Sequence, residues 1–315
     1  MEILHWSIEH GLKKEAEEHY RTRFAINLKD REPLEIIRQI TFDGVVPDIV
    51  VKDIESLFDF VERRFLNGKI RGVGVEVGAG PGTFSSVLAK KDSIEKMYAV
   101  ELCQSIVELL TPKVAEYVID GRSDKVVGVV GSFDNMELPN ESVDFIFDFF
   151  SLHHSNNPEI TLKECHRVLK RRGFIFCFDK ARPDYFTKQD LNELLDSEYD
   201  EDFKRQMGMP LDRRFTRRMN DEKEYRLKDW FSAFEKAGFA QTKYFYLAKT
   251  ASNNPALRAI KIFLSKLPVQ IQLSLNKLLP LPKFNHKFIL EPKNRIFAKP
   301  VNPFPKEISL MIAYK

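Results

Sequence analysis

A glycine-rich turn with an acidic residue just before it is the part of this sequence best suited to chemistry. Gly78, Gly80 and Gly82 alternate with other residues, and Glu76 precedes the first of them. Glycines have no Cβ atom, so they let a ligand approach the backbone and adopt dihedral angles that other residues avoid. The alternating valines of residues 72–77 predict a buried strand that leads into the turn. The pattern predicts a loop that cradles a nucleotide.

A second acidic residue helps to identify the ligand. Glu101 follows a predicted strand at residues 97–100, and an acid in this place can accept hydrogen bonds from both hydroxyls of a ribose. A dinucleotide fingerprint needs glycine where this chain has Thr83. Glu76 would also repel a pyrophosphate, whereas it attracts the ammonium and sulfonium groups of S-adenosylmethionine. The charge favours S-adenosylmethionine, and an NAD-dependent Rossmann oxidoreductase is the alternative.

Strand-like and helix-like segments alternate after the glycine turn. Apolar runs predict strands at residues 126–130, 142–149 and 174–178, and apolar residues at helical spacing predict helices at 84–88 and 160–170. Such alternation is typical of an α/β fold in which helices cover both faces of a parallel sheet.

These motifs resemble the class I S-adenosylmethionine-dependent methyltransferases, in the small-molecule branch related to ubiquinone and menaquinone methyltransferases. The resemblance covers about residues 69–183 and 226–250. It implies a doubly wound, Rossmann-like sheet of seven mostly parallel strands that ends in an antiparallel hairpin. The cofactor it implies is S-adenosylmethionine, and the residues that would bind this cofactor are Glu76, Gly78, Ala79, Gly80, Gly82, Glu101, Ser132, Phe133 and Phe150.

One departure from the family concerns the adenine site. Ser132 stands where the family often has an acid, and Asp134 is a candidate to replace that acid in binding the adenine amino group. Ser132 and Phe133 would otherwise contact the adenine, and the backbone near Phe150 would meet the amino group of the cofactor.

Two neighbouring histidines are the candidates for acid–base chemistry. His153 and His154 follow the fourth predicted strand, where the acceptor of the methyl group would enter, and histidine can take a proton near neutral pH. A base is needed only if the acceptor arrives protonated, and the pair could instead shape the pocket. Asp148 and Asp179 are further candidates; next to Lys180, Asp179 could instead help to bind an anionic group.

The acceptor class is narrowed by motifs that the sequence lacks. Methyltransferases that act on adenine or glutamine amino groups carry a proline pair after this strand, whereas this chain has Phe149 and Phe150. None of the three cysteines, Cys103, Cys165 and Cys177, lies in the setting of a cytosine C5 nucleophile. We therefore expect transfer to an oxygen, nitrogen or carbon of a small-molecule or lipid- or carrier-linked acceptor, with a protein substrate as an alternative.

The three cysteines also bear on location. Their odd number, without a Cys-x-x-Cys pair, argues against a zinc site built from cysteines and against a disulfide framework. No signal peptide or membrane-spanning run is evident in the sequence. We expect a cytoplasmic protein without a bound metal.

The chain is predicted to consist of a methyltransferase domain with two additions. Residues 1–68 are expected to form a helical N-terminal cap, and residues 69–250 with 306–315 the cofactor-binding domain. Residues 251–305 are expected to be a helical insertion. Between Glu235 and Glu291 the chain has nine lysines and arginines and no acid, although its net charge is only +3. This basic, apolar segment could contact an anionic membrane surface through residues 251–290, or serve as a lid.

Overall fold

A computed structural model describes residues 1–23, 32, 33, 36, 47–121, 123–207, 209, 211–250, 271, 287–291 and 307–315. Within these residues one sheet has nine strands. The strands are β1 (Glu2–His5), β2 (Gly72–Val77), β3 (Ile94–Glu101), β4 (Val126–Val130), β5 (Val143–Phe149), β6 (Leu169–Phe178), β7 (Gln241–Thr250), β8 (Lys287–Glu291) and β9 (Glu307–Tyr314).

Nine α-helices of the described residues accompany the sheet. They are α1 (His10–Arg23), α2 (Pro47–Val61), α3 (Thr83–Ala89), α4 (Gln104–Leu109), α5 (Thr111–Ile119), α6 (Pro158–Val168), α7 (Lys188–Asp196), α8 (Glu201–Met207) and α9 (Leu227–Lys236). None of the helices in these parts of the chain is long and apolar enough to cross a bilayer.

The sheet has the expected topology. Its strand order is β1-β4-β3-β2-β5-β6-β9-β7-β8, and the pairs among β1 to β6 are parallel. Strand β9 runs antiparallel between β6 and β7, which confirms the predicted C-terminal hairpin. The order reverses direction at β2, so the carboxyl ends of β2 and β5 border the crevice where α/β proteins bind ligands.

The predicted count of seven strands was wrong, and the first extra strand lies in the predicted helical cap. Strand β1 pairs in parallel with β4, from Glu2 opposite Val127 to His5 opposite Val130, and so covers backbone groups that β4 would otherwise expose at the sheet edge. Trp6, which we placed in a helix, follows this strand and packs over Gly131. A Cβ on Gly131 would stand 2.7 Å from the Trp6 ring.

The second extra strand lies at the other edge, inside the predicted helical insertion. Strand β8 pairs antiparallel with β7, with Lys287 opposite Thr250 and Glu291 opposite Tyr246. Its sequence contains phenylalanine and isoleucine, which favour strands. The helix that the sequence predicts between Pro255 and Pro268 lies outside the described residues.

Helix α6 illustrates how local sequence positions an element. Asn157 accepts a hydrogen bond from the backbone N–H of Glu159 at 3.1 Å, and Pro158 occupies the first helical position. Both are favoured at helix starts because they suit backbone groups that lack partners within the helix. The helix therefore begins two residues before the predicted start at 160.

Phenylalanines account for much of the core. Phe147 lies between Phe58 and Phe176, with ring-centroid distances of 5.1 Å and 4.9 Å, and all three are fully buried. On the opposite face of the sheet, Trp230 and Phe234 of α9 are equally buried. These aromatic residues therefore serve to pack helices on both faces of the sheet.

Candidate functional site

The glycine turn connects β2 to α3 at the crevice. Gly78, Gly80 and Gly82 have φ angles of 63°, 50° and 73°, in the left-handed region that favours glycine. A Cβ on Gly78 would stand 2.3 Å from Cβ of Ser151, so the turn packs tightly against the loop after β5. At Gly80, in contrast, no described atom lies within 4 Å of the place a Cβ would take. The turn is thus closed on one side and open on the side where a ligand would lie.

Glu76 is buried beneath this turn. Its Oε2 accepts hydrogen bonds from the backbone N–H of Ser85 at 2.7 Å and from Ser85 Oγ at 2.5 Å. Gly82 precedes α3 and has no side chain to cap it, so Glu76 caps the helix instead. Burial raises the pKa of Glu76 to about 8, although the bonds from Ser85 oppose this shift. The residue that we predicted to attract the cofactor by its charge is therefore protonated to a large extent near neutral pH.

Glu101 stands beside the open part of the turn. Its Oε2 accepts a hydrogen bond from Gly80 N, and its Oε1 accepts one from Cys103 N, both at 3.0 Å. Each carboxylate oxygen has a second lone pair, so both can still accept a bond from a ribose hydroxyl. Burial raises the pKa of Glu101, which is 7% exposed. The structure brings this predicted ribose-binding residue into contact with the predicted loop.

The loop after β4 contains the residues predicted to contact adenine. Ser132 Oγ accepts a hydrogen bond from Asp134 N at 3.1 Å, and Ser132 is 9% exposed. Asp134 accepts a hydrogen bond from Thr161 of α6, so its carboxylate already has a partner. Phe133 is partly buried and packs against the core on the α6 side of the sheet. Adenine recognition by these residues stays a prediction.

The loop after β5 is fixed by hydrogen bonds to its neighbours. Phe150 has a φ of 56°, unusual for a residue other than glycine, and its N–H donates to Phe178 O at 2.8 Å. Ser151 Oγ donates to Gly78 O at 2.9 Å, while Ser151 N donates to Asp148 Oδ1 at 3.0 Å. Such a strained backbone often accompanies binding sites, and here the hydrogen bonds from Phe150 N and Ser151 Oγ hold the loop in this conformation beside the glycine turn.

His153 is buried and held on both sides by acids. Its Nδ1 lies 2.7 Å from Asp179 Oδ1, its backbone N–H donates to Asp179 Oδ2 at 2.9 Å, and its Nε2 lies 3.3 Å from Glu222 Oε2. Burial alone would lower the pKa of His153, but Asp179 outweighs that effect and raises it to about 9. His153 is therefore a cation at neutral pH and is unsuited to accept a proton.

His154 has a different environment. Its Nδ1 donates to the backbone carbonyl of Asp221 at 2.9 Å, and its side chain is 33% exposed. Burial and the charge of His153, whose ring centroid is 4.2 Å away, lower the pKa of His154. The bond at Nδ1 places the lone pair of the neutral ring on Nε2. The two histidines, which the sequence could not distinguish, thus have different environments in the structure.

The two aspartates near His153 have structural partners. Asp148 is fully buried, and its Oδ1 accepts hydrogen bonds from Ser151 N and Leu152 N. Burial and then the charge of Asp179 raise the pKa of Asp148 well above its usual value. Burial thus favours the protonated form of Asp148, and Asp179 is engaged by His153.

Residues 181–226, which we call the roof segment, cover this side of the sheet. Lys180, just before the segment, forms an ion pair with Glu222, and Arg182 binds Glu224 through two hydrogen bonds of 2.5 Å and 2.9 Å. Lys223 Nζ donates to His154 O at 2.6 Å, and Tyr225 OH donates to Ser155 O at 2.9 Å. The roof segment is therefore fastened directly above the histidine loop.

Sequence reasoning missed the acids of the roof segment. Glu222 and Glu224 lie in a stretch rich in charged residues, and charged residues in a polar stretch give no sign of burial. Burial alone would raise the pKa of Glu222, but His153 and Lys180 hold it well below its usual range. Glu222 is thus an ionised carboxylate inside the acceptor side of the site.

Comparisons with known proteins agree with this geometry. Residues 75–177 match the family described as methyltransferase domain. A S-adenosylmethionine-dependent methyltransferase from Leishmania major has the same fold, with a TM-score of 0.51 and 14% identity over 96% of this chain and 83% of that one. No curated protein sequence matches the chain.

Two further solved structures are similar at lower scores. The YcgJ protein of Bacillus subtilis is 16% identical, with a TM-score of 0.48 over 84% of this chain and 98% of that one. Phosphoethanolamine N-methyltransferase 2 of Haemonchus contortus, in complex with S-adenosyl-L-methionine, is 15% identical, with a TM-score of 0.46 over 82% of this chain and 52% of that one.

Proposed function

We propose that this chain, which carries a class I S-adenosylmethionine-dependent methyltransferase domain, transfers the methyl group to a small acceptor, or to the small reactive end of a lipid- or carrier-linked one. S-adenosylmethionine is the cofactor, and the NAD-dependent alternative is not retained. The family match is broad, so the ubiquinone and menaquinone branch stays a prediction.

The residues around the glycine turn fit this cofactor. The open side of Gly80 leaves room for the ligand to approach the protein backbone. Glu101, next to Gly80, offers two carboxylate oxygens to the ribose. We assign the methionine end to the turn of Gly78, Ala79 and Gly82, and to the loop at Phe150. Bound there, the cofactor would supply an electrophilic methyl group on a sulfonium.

The contacts of the roof segment on the acceptor side are the observation that supports a small acceptor. The roof segment is tied to the histidine loop through Lys223 and Tyr225, and to the chain just after β6 through the ion pair of Lys180 with Glu222. The two ends of the segment also lie together, since Arg182 N donates to Tyr225 O and Leu227 N donates to Arg182 O. We infer that these contacts narrow the approach to the histidines, which favours a small molecule or a narrow chain over a folded protein or a nucleic-acid duplex.

We assign the removal of a proton from the acceptor to His154. Its Nε2 carries the lone pair when the ring is neutral, and its ring is the more exposed of the pair. His153 is a positioning residue, because its contacts to Asp179 and Glu222 keep it protonated. In-line displacement at the methyl group then needs alignment and exclusion of water, which the roof segment provides.

Methyl-labelled S-adenosylmethionine tests the proposal directly. The full-length protein is incubated with a cell extract, and the small-molecule, lipid, protein and nucleic-acid fractions are counted. We expect label in the small-molecule or lipid fraction, and much less of it from Glu101→Ala when the cofactor is below saturation, while Glu116→Ala on the exposed side of α5 should behave as the unmodified chain. Label confined to protein or nucleic acid would contradict the small acceptor. Absence of label in every fraction would contradict the activity itself.

A further inference from the structure

Three side chains on the acceptor side are arranged like the ligands of a metal ion. His153, His154 and Glu222 each offer one ligand atom, and these atoms lie within 4.8 Å of one another. Two imidazoles and a carboxylate are a ligand set that zinc and related divalent ions use, commonly with a further position open. Because the set contains no cysteine, the cysteine spacing could not indicate it.

The hydrogen bonds around the histidines leave the correct nitrogen atoms available. His153 Nδ1 lies 2.7 Å from Asp179 Oδ1, and His154 Nδ1 donates to the carbonyl of Asp221 at 2.9 Å. A metal-binding histidine characteristically uses one ring nitrogen for the ion and donates the other N–H to a carboxylate or carbonyl. Both rings have such a partner at Nδ1, so each can offer Nε2 to an ion, and His153, which is a cation without the ion, would release its Nε2 proton when the ion binds.

The carboxylate of Glu222 is likewise held by hydrogen bonds that leave one oxygen available. Glu222 Oε1 accepts hydrogen bonds from Tyr199 OH at 3.1 Å and from Asn220 Nδ2 at 3.0 Å. Its other oxygen, Oε2, lies 3.3 Å from His153 Nε2. Zinc binds such atoms at about 2.1 Å, which holds them about 3.4 Å apart in a tetrahedral site. The observed separation is that of two ligands of one ion.

An independent sign of a missing partner is found at His153. Its Nε2 is buried and makes no hydrogen bond of acceptable geometry among the described residues, although Glu222 Oε2 lies 3.3 Å away. His153 is 3% exposed, and an orphaned polar atom of this kind is costly unless a ligand or an ion meets it. We propose that His153 Nε2, His154 Nε2 and Glu222 Oε2 form a binding site for a zinc-class divalent cation.

Lys180 competes with the ion. Its ammonium contacts Glu222, and it also lies 3.5 Å from Glu224 Oε1. When a cation takes Glu222 Oε2, the ammonium can remain paired with Glu224. Removing the ammonium should therefore tighten cation binding. A bound ion would also occupy the lone pair of His154 that removes the acceptor proton, so zinc should inhibit methyl transfer.

The test measures binding without cofactor or acceptor, so its outcome is independent of the proposed methyl transfer. The full-length protein is stripped with a chelator and titrated with zinc chloride by calorimetry, and with Co²⁺ by its visible absorption. We expect one ion per chain, with affinity reduced at least about tenfold by His154→Ala and by Glu222→Gln. His166→Ala changes a histidine outside the cluster, in edge-to-face contact with Phe239, and this variant should bind zinc normally.

Folding of each variant is checked by its affinity for S-adenosylmethionine, and His154→Ala is the safer ligand variant because its ring is partly exposed. Lys180→Met should bind zinc more tightly than the unmodified chain. The site is refuted if the unmodified chain binds no zinc and no Co²⁺, or if the ligand variants bind as it does. The site would also be refuted if only Lys180→Met bound zinc, because the Lys180 ammonium would then occupy the place of the ion permanently in the unmodified chain.

Discussion

Glu76 makes the stability of the protein depend on pH in a direction that is unusual for a carboxyl group. Its pKa is raised from 4.5 to about 8 by burial, so the folded chain keeps a proton that the unfolded chain loses. Between these values the folded state binds more protons than the unfolded state, and the free energy of unfolding therefore falls as the pH rises. The slope from this one group is at most about 1.4 kcal/mol per pH unit.

Glu76→Gln removes this titration while keeping an acceptor for Ser85. The amide oxygen of glutamine can accept both bonds that Ser85 donates to Oε2, so the cap of α3 is retained. We expect the variant to match the unmodified chain near the unfolded pKa of 4.5, and to exceed its stability by several kcal/mol, on the order of 4, near pH 8. Urea unfolding of both chains across this range measures the difference, and Glu116→Gln is the exposed control.

The same proton is linked to cofactor binding. The cofactor is a cation at its sulfonium, which favours the ionised form of Glu76, so binding should release a proton below about pH 8. Affinity for S-adenosylmethionine should then rise with pH, by up to about tenfold per unit, and Glu76→Gln should abolish the rise. Calorimetry in two buffers of different ionisation enthalpy measures the proton directly. Equal pH dependence of stability and affinity in the two chains would refute the reasoning.

Three further outcomes are expected. Glu101→Ala should lower the affinity for S-adenosylmethionine at least about tenfold in calorimetry, because two charge-assisted acceptors are lost, and Glu116→Ala should not. His154→Asn should lower turnover about a hundredfold at saturating acceptor with cofactor affinity unchanged, whereas His153→Asn should also lower the urea midpoint, because it leaves buried carboxylates without their cation. If the basic segment meets an anionic surface, salt-sensitive sedimentation with anionic liposomes should be lost when glutamine replaces Lys261, Lys266 and Lys277.

The glycine turn could be predicted from the sequence because everything that defines it is local. The valines of β2, the spacing of Gly78, Gly80 and Gly82, and the helical pattern of α3 all lie within a short stretch. Glu101 follows the next strand, and parallel strands bring their carboxyl ends to one edge of a sheet. Topology alone therefore sufficed to place Glu101 beside the turn, and the hydrogen bond from Gly80 N agrees with it.

The edge strands could not be predicted in this way. Strand β1 has only two apolar residues, Ile3 and Leu4, and what makes it a strand is the unpaired edge of β4, far away in the sequence. The same holds for β8, which pairs with β7. Whether a short segment forms a strand depends on the neighbouring strand with which it can pair rather than on its own composition. The number of strands was therefore underestimated at both edges of the sheet.

The roles of the two histidines depend on partners that are even more remote. Asp179 and Glu222 make His153 a cation, while the carbonyl of Asp221 orients His154; Asp179 follows β6, whereas Asp221 and Glu222 are neighbours in the roof segment. The sequence places both rings at the mouth of the site but holds no information about which Nδ1 meets an acid and which meets a carbonyl. Residues of the roof segment thus help to determine how the two adjacent histidines behave as acids and bases. A change in that segment would alter this behaviour even though the histidines themselves are unchanged.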